Sequence, residues 1–443
     1  MIEQLELLDI DIDVLRMVIS AAIFIGCLIL IFSEKINRTI AAFLGASLII
    51  ILGKLLHFYD ENLAVEAIDF NTLGLLFGMM ILVALLEPTG FFQYLAVWVG
   101  RLSQGRPVRL LILIGSVTTV LSMFLDNVTT VVLIAPVTIL ICEILGISPL
   151  PYLMSEAILS NTGGISTMVG DPPNILIASA ANFSFNDFLV HSFPLILIVW
   201  FVTLGVLRFL FRKDLRLAPP NADALFNLHP SEALKDRKSA KRVLIVIGFA
   251  VIGFLLEEVL HASPSLIAIS AAAAALVWVR PDIQKTLKLI EWDILTFFGA
   301  LFIMVGGMEH AGLLDYFAEI ILQGINLPPL VFYLLILWVV AILSAIVDNI
   351  PITIALIPVI QGLGRSGIDV NPIWWALAFG AGLGGNGTII GSTANFVVTS
   401  LSERTRTPIT PRMWSKKGLP VMFATLIVMS ILYAGVTLTF GWG

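Results

Sequence analysis

The run SNTGGISTMVGDPPN, residues 160–174, places three glycines, two prolines and an aspartate between apolar segments on both sides. The surrounding chain of 443 residues is 58% hydrophobic and 13% charged, with a mean hydropathy of +1.00. Water-soluble globules carry about 25% charged residues, so this composition describes an all-α integral membrane protein. Lipid-exposed backbone must be fully hydrogen-bonded, and non-helical backbone at membrane depth survives only buried in protein or lining a watery cavity. Pro172 and Pro173 remove two amide donors, and Gly163, Gly164 and Gly170 accept backbone angles that other residues resist. The run therefore predicts a discontinuous helix. Its unwound middle offers carbonyls to a cation, half-helix N-termini to an anion, and the side-chain oxygens of Asn161, Thr162, Ser166, Thr167, Asp171 and Asn174.

Apolar runs near the roughly 20 residues that cross a bilayer as helix fall at 14–33, 36–56, 71–87, 152–182, 191–211, 243–261, 264–280, 293–309, 373–401 and 418–440, which makes ten spans. Two further apolar pairs, 108–125 with 128–145 and 329–347 with 350–362, are interrupted at LDN and VDN and predict re-entrant helical hairpins. The N-terminal MIEQLELLDIDID is acidic and lacks the basic start and the cleavage site of a signal peptide, so the first span is expected to stay in the mature protein. Cys27 and Cys142 lie inside apolar runs and are expected as buried free thiols. With the N-terminus outside, alternation through the spans puts Lys35 with Arg38, Arg101 with Arg106 and Arg109, the segment from Arg208 to Arg242, Arg280 with Lys285 and Lys288, and the segment from Arg404 to Lys417 on the inner side. Arg16, Lys54 and Arg365 stay outside, which is the asymmetry that the positive-inside rule describes. The expectation is a multi-pass protein of the cell (plasma or inner) membrane with both termini outside. No basic patch with interleaved aromatics argues for nucleic acid.

Residues 67–102 resemble 289–323: Glu87, Gly90, Tyr94 and Ala96 recur as Glu309, Gly312, Tyr316 and Ala318 at an offset of 222, as do Asp126-Asn127 in Asp348-Asn349 and Pro136 in Pro358. The opening run has its own echo in GGNGTIIGSTAN, where Gly163, Gly164, Thr167, Gly170 and Asn174 match Gly384, Gly385, Thr388, Gly391 and Asn395 at an offset of 221. Five spans per copy is an odd number, so the second copy enters from the opposite face, the inverted arrangement of many secondary transporters. The division expected is a first repeat over 1–211, with spans at 14–87 and a hairpin-containing part at 108–211; a cytoplasmic linker over 212–242; and a second repeat over 243–443, with spans at 243–309 and a hairpin-containing part at 329–440.

In the second copy Gly384, Gly385 and Gly387 break the helix, and Asn386, Thr388, Ser392, Thr393 and Asn395 supply oxygens. The two breaks and the two hairpin tips, Asp126-Asn127 with Thr129 and Asp348-Asn349, are expected to converge near the midplane on one shared site. Asp126, Asp171 and Asp348 sit inside apolar regions, where a carboxylate costs about 2.5–3.5 kcal/mol on the insertion scale. A cation ligand or a proton carrier offsets that cost, because desolvation favours the neutral form of a carboxyl and a bound cation favours the charged one. Asp126, Asn127, Asn161 and Asp171 are the candidate Na+ ligands, and no other cofactor is implied. A helix-capping role for the aspartates and close helix packing for the glycines are the competing structural readings. Glu87, Glu309, Glu143 and Glu156 read as solvated or salt-bridged near span ends, and FFQYLAVWVGRL (91–102) and LLDYFAEIIL (313–322) as interfacial helices.

FLDNVTTVVLIAPVTILICEILGISP (124–149) followed by SNTGGISTMVGDPPNILIAS (160–179) resembles the ion-transporter superfamily of arsenite permeases, NhaD-type sodium/proton antiporters, plant silicon effluxers and melanosomal P proteins, over nearly the whole chain. More distantly the chain is similar to the sodium-coupled dicarboxylate transporters. That resemblance implies a homodimeric elevator in which spans 1–3 and 6–8 form the dimer scaffold, while the hairpins with spans 4, 5, 9 and 10 form the moving part. The Ser-Asn-Thr of dicarboxylate hairpin tips is replaced here by Asp126-Asn127 and Asp348-Asn349, which leans away from carboxylates and toward the antiporter branch, whose functional aspartates match Asp126 and Asp171. The expected function is secondary transport by Na+/H+ exchange or Na+- or H+-coupled movement of a small ion or solute. A small anion (dicarboxylate or citrate), arsenite and silicic acid stay open as cargo. An intramembrane aspartyl protease built on Asp126 and Asp348, and a passive channel, are the alternatives from other classes.

Overall fold

The computed structural model describes residues 12–32, 36–216, 219–221, 229–313, 316 and 327–442. Its helices of ten residues or more are numbered in chain order. The first four are α1 (Ile12–Phe32), α2 (Arg38–Leu55), α3 (Phe70–Leu86) and α4 (Phe91–Leu102). The first hairpin region and break give α5 (Pro107–Ser122), α6 (Asn127–Leu145), α7 (Leu150–Gly164) and α8 (Pro172–Ala181), followed by α9 (Phe193–Leu210). Then come α10 (Arg237–Leu255), α11 (Pro264–Val279) and α12 (Trp292–His310). The second hairpin region and break give α13 (Pro329–Ile346), α14 (Asn349–Arg365), α15 (Asn371–Gly384) and α16 (Thr393–Ser402), and α17 (Pro411–Thr439) ends the chain.

Short polar side chains set many of these starts, each satisfying amide groups that a helix N-terminus leaves without partners. Asn37 caps α2, Asp69 caps α3, Asp126 caps α6, Asp236 caps α10, Ser263 caps α11, Asp348 caps α14 and Thr410 caps α17. Asp236 starts α10 six residues before the expected span, so Arg237, Lys238, Lys241 and Arg242 ride on helix, not on linker. The short stretch Pro230–Ala233 docks beside the start of α4, where Gly90 has a φ of +79° and a Cβ would lie 2.0 Å from the Ala233 carbonyl oxygen. Only glycine enters that position without strain.

Packing crosses between the halves of the chain. α3 packs on α11 and α2 on α12, while α5 packs on α7 and α13 on α15. The half-helix after each break lies against the second hairpin arm of the other half: α8 on α14, and α16 on α6. The two breaks are thereby brought to one place.

Eight helices, among the described residues, are long and apolar enough to cross a membrane. The difference from ten spans has a physical cause at each position. Runs 152–182 and 373–401 are each divided into two helices, of 15 and 10 residues and of 14 and 10 residues. α11 has 16 residues, and α10 carries four cations in its first turns. Conversely, α6 and α13, arms of the expected hairpins, are as apolar as spans. Residues 91–102 form a helix as read, whereas 1–11, Lys35 and most of 313–322 lie outside the described residues. Cys27 and Cys142 are buried free thiols.

Candidate functional site

The two breaks repeat one set of backbone ties. Ser122 Oγ donates to the Ser160 carbonyl at 2.8 Å, and Ser344 Oγ to that of Ala381 at 2.6 Å. Thr167 Oγ1 donates to Met123 O, and Thr388 Oγ1 to Ala345 O. Asn174 Nδ2 donates to the carbonyls of Gly164, Ile165 and Thr167, and Asn395 Nδ2 to those of Gly385 and Thr388. Carbonyls that helical bonding would otherwise have used are satisfied this way, which lets irregular backbone stay buried. A Cβ at Gly163 would sit 2.6 Å from Thr119 O, and one at Gly384 2.3 Å from Ala341 O, so these glycines serve the close approach of α5 to α7 and of α13 to α15.

Within that frame lies a buried polar cluster. Carbonyl oxygens only accept, so Asn395 turns its Nδ2 to them and its Oδ1 to Asn161. Asn161 Nδ2 accordingly donates to Asn395 Oδ1 at 3.2 Å and to Asn386 Oδ1 at 3.0 Å. Asn161 Oδ1 receives Asn127 Nδ2 at 3.0 Å and Ser392 Oγ at 2.9 Å. Residues from α6, α7, the second break and α16 thus share one hub. Nearby, Asn349 Nδ2 donates to Asp171 Oδ2 at 3.0 Å. Within the hub and this pair, two buried atoms, Asp171 Oδ1 and Asn386 Nδ2, have no hydrogen-bond partner among the described residues. Leaving such groups unmet costs about 1–3 kcal/mol each, so they mark where a ligand gains most.

The three aspartates separate into two kinds. Asp126 Oδ1 accepts from Thr129 N at 2.8 Å, and Asp348 Oδ1 from Ile350 N at 3.2 Å, so both are helix caps. Asp348 Oδ2 also accepts from Thr393 Oγ1 at 2.5 Å. Asp171 is 2% exposed and makes no cap hydrogen bond. Asn127, Asn386, Ser392 and Asn395 bond Asn161 in the hub, and Asn349 bonds Asp171. Thr162 joins neither: its hydroxyl bonds back to Ile158 O at 2.8 Å. Gly163 is a packing residue, and Thr167, Thr388 and Asn174 hold backbone. Of the candidate Na+ ligands, Asp171 alone has a carboxylate oxygen that is buried and without a partner among the described residues. Asn127 and Asn161 bond each other, and Asp126 faces a separate cavity of about 120 Å³ with Thr129, Glu87 and Glu291. Among the described residues no three His, Cys, Asp or Glu side chains gather as a metal site. A larger cavity of about 590 Å³ holds Asp348, Thr388, Ser392 and Thr393 beside Asn37 and Arg38.

Two acids escaped the sequence reading. Glu291, just before α12, accepts from Thr129 Oγ1 of α6 at 2.9 Å. Its echo of the Asp69 cap position was the available signal. Glu156, expected to be solvated or salt-bridged near a span end, is 0% exposed and receives the Thr138 hydroxyl. It sits on α7, which is buried from Pro151 to Gly164, so no hydrophobic periodicity distinguished its face.

Broken helices tied around a buried polar hub, in a chain of membrane-length apolar helices, define a multi-pass membrane transporter. Residues 28–380 match the family described as CitMHS, citrate transporter, and the chain belongs to that family, not to an enzyme class. It is 38% identical over 425 residues to a 46 kDa membrane protein of Mycobacterium leprae, covering 95% of this chain and 98% of that one. An uncharacterized transporter of Mycobacterium tuberculosis is 38% identical over 426 residues, covering 94% and 97%. The human P protein is 33% identical over 496 residues, covering 93% of this chain but 59% of its own length. The YdaH transporter of Alcanivorax borkumensis, whose crystal structure has an unusual topology, shares the fold with a TM-score of 0.60 at 19% identity, over 84% of this chain and 86% of that one.

Proposed function

We propose that this chain is a secondary active transporter that couples movement of a small ion or solute to Na+ and/or H+ through Asp171, with Na+/H+ exchange as the leading form. The observation that carries this reading is Asp171 itself: a buried carboxylate at the meeting of the breaks, bonded to the opposite half through Asn349, with Oδ1 left for a ligand. Its carboxylate alternates between holding a cation and holding a proton, so cation affinity falls as pH drops. The part containing α5–α9 and α13–α17 moves as an elevator against a dimeric scaffold of α1–α3 and α10–α12. The two halves have inverted topology in the cell membrane, with both termini outside and the basic segment 212–242 inside. Arg38 beside the 590 Å³ cavity favours a second reading, in which a small anion such as citrate is the co-transported cargo.

The test is flux in proteoliposomes with Na+ and pH gradients varied separately, against citrate, arsenite and silicic acid as cargo. Asp171→Asn keeps size and hydrogen bonding but cannot titrate. It is expected to fold, insert and lose exchange driven by a proton gradient. Wild-type Na+ binding that ignores pH, or full proton-coupled flux in the variant, would make Asp171 a structural residue.

A further inference from the structure

In the first half of the chain α8 packs on α3, and Ile175 and Ser179, one helical turn apart, share the face of α8 that makes this contact. The Ser179 hydroxyl donates to Asp69 Oδ2 at the start of α3, and Ile175, 3% exposed, lines the adjoining cavity with Thr72 and Leu75. The second half keeps all the parts of this contact. Phe396 and Ser400 of α16 match Ile175 and Ser179 at the offset of 221, and Glu291 and Phe297 match Asp69 and Leu75 at the offset of 222. The contact itself is not made there. Phe396 is 61% exposed, and Ser400 is exposed and its hydroxyl donates no hydrogen bond among the described residues. Glu291 takes the Thr129 hydroxyl instead, at 2.9 Å. Thr129 matches Pro351 at the offset of 222, and proline has no hydroxyl, so that bond has no copy between Asp69 and the second hairpin tip.

Phe396 lines the cavity of about 590 Å³ together with Asn37, Arg38, Asp348 and Thr393, all polar. Exposure alone leaves its partner open; its twin Ile175 names one. The counterpart of the α3 start is the start of α12, and it borders the same cavity, since the Arg38 guanidinium lies over the Phe297 ring at 5.5 Å from its centroid. Closing α16 on α12 removes the Phe396 ring from exposure and gives Ser400 a carboxylate acceptor, the two gains that Ile175 and Ser179 already have.

We propose that the Phe396–Ser400 face of α16 docks on the start of α12 in a second register of the chain. Ser400 there replaces Thr129 at Glu291, Phe396 closes on Phe297, and the Asp69–Ser179 bond parts in exchange. Glu291 is thus a positioning residue with two alternate partners, and the change of partner closes the 590 Å³ cavity. The proposal rests on the transport reading in that a carrier needs two registers, while the contact is defined by the repeat and not by the ion.

Cross-linking of the full chain in phosphatidylcholine nanodiscs tests this, with the buried Cys27 and Cys142 left in place. Glu291→Cys paired with Thr129→Cys reports the present register, and Glu291→Cys paired with Ser400→Cys the second. Glu291 caps no amide through its side chain, so its substitution leaves the start of α12 intact. Both pairs are expected to close under mild oxidation of monodisperse protein, read by intact mass and by loss of reactive thiol. Ser400→Ala and Phe396→Ala remove groups that bear no load in the present register. Both are expected to leave the melting temperature unchanged and to lower Na+ uptake driven by a pH gradient roughly fivefold, the effect of about one lost interaction. Failure of the 291–400 pair to close would overturn the proposal, as would unchanged uptake in both alanine variants of a chain that transports. Closure of both pairs in a wild type without Na+/H+ exchange would sink the transport reading and leave this docking standing.

Discussion

The break at residues 160–174 and the break at 381–395 use the same frame and carry different chemistry. The serine, threonine and asparagine ties to backbone recur position for position, as do the glycines that bring α5 to α7 and α13 to α15. Among the positions that differ at the offset of 221, three bear on the meeting point: Asn161 stands opposite Gly382, Ile165 opposite Asn386, and Asp171 opposite Ser392. The differences are linked in space. Asn161 bonds Asn386, and at the matching contact a Cβ on Gly382 would lie 2.3 Å from Ile165, so that glycine makes room for the isoleucine. One side of the crossing is therefore polar and the other apolar. What recurs builds the break; what differs gives the meeting point Asp171 and the Asn161–Asn386 pair.

The largest effect tests the frame. Gly163→Ala and Gly384→Ala each drive a Cβ into backbone oxygen, which no rotamer change relieves. Both are expected to cost at or above the upper end of about 1–3 kcal/mol for overpacking and to abolish monodisperse protein after detergent extraction. Normal yield and melting temperature from either one would show that the paired helices can spread and that the frame is looser than its geometry.

Next come the staples. Asn174→Ala and Asn395→Ala strip the partner from several buried carbonyls, at about 1–3 kcal/mol of stability each. Thermal unfolding in detergent is expected to show similar losses for the two. Asn395→Ala also frees Asn161 Nδ2 from one acceptor, so a much larger loss for Asn174→Ala would contradict the matched frame.

A functional asymmetry follows. Asn386→Ala removes one of two acceptors from Asn161 and deletes an amide whose Nδ2 is unpartnered among the described residues. Its melting temperature is expected to move little while flux falls roughly tenfold, the equivalent of about 1.4 kcal/mol in the rate-limiting barrier. Ile165→Val, at the matching apolar position, is expected to leave flux within a factor of two or so, as a conservative core change. Equal effects of the two would remove the distinction between a chemical and a structural side.

Much of this comparison was readable from the chain alone, because glycine, proline and Asp-Asn tips at repeated spacing can serve few purposes in an apolar sequence. Asn127, Asn161, Asn349, Asn386 and Asn395 were found that way. What the spacing could not separate was ligand from scaffold among like residues. Asp126 and Asp348 look no different in sequence from Asp171, and only the distance to Thr129 N and Ile350 N reveals them as caps. Thr162 reads as a donor of oxygen to the site, yet a threonine inside a helix can satisfy itself on the carbonyl four residues back. Glu291 reaches Thr129 across 162 positions of chain, a pairing no local pattern encodes. Span counting met a different limit, since α6 and α13 match crossing helices in length and apolarity.

The smallest effect is the sharpest check on which features belong to the frame. Thr167 and Thr388 occupy matched positions, and each hydroxyl holds one carbonyl at the end of the preceding hairpin arm, Met123 O and Ala345 O. Thr388 has one further bond, accepting from Gly391 N at 3.2 Å. Valine keeps the shape and removes the hydroxyl, so each substitution costs about 1 kcal/mol for a neutral hydrogen bond, with Thr388→Val slightly the larger. If both threonines only tie backbone, the two variants shift the melting temperature by similar amounts and leave the pH dependence of Na+-driven flux where the wild type has it. A changed pH profile in Thr167→Val but not in Thr388→Val would place Thr167, four residues from Asp171, among the groups that handle the ion. The line between frame and chemistry would then run through the first break itself, not between the two.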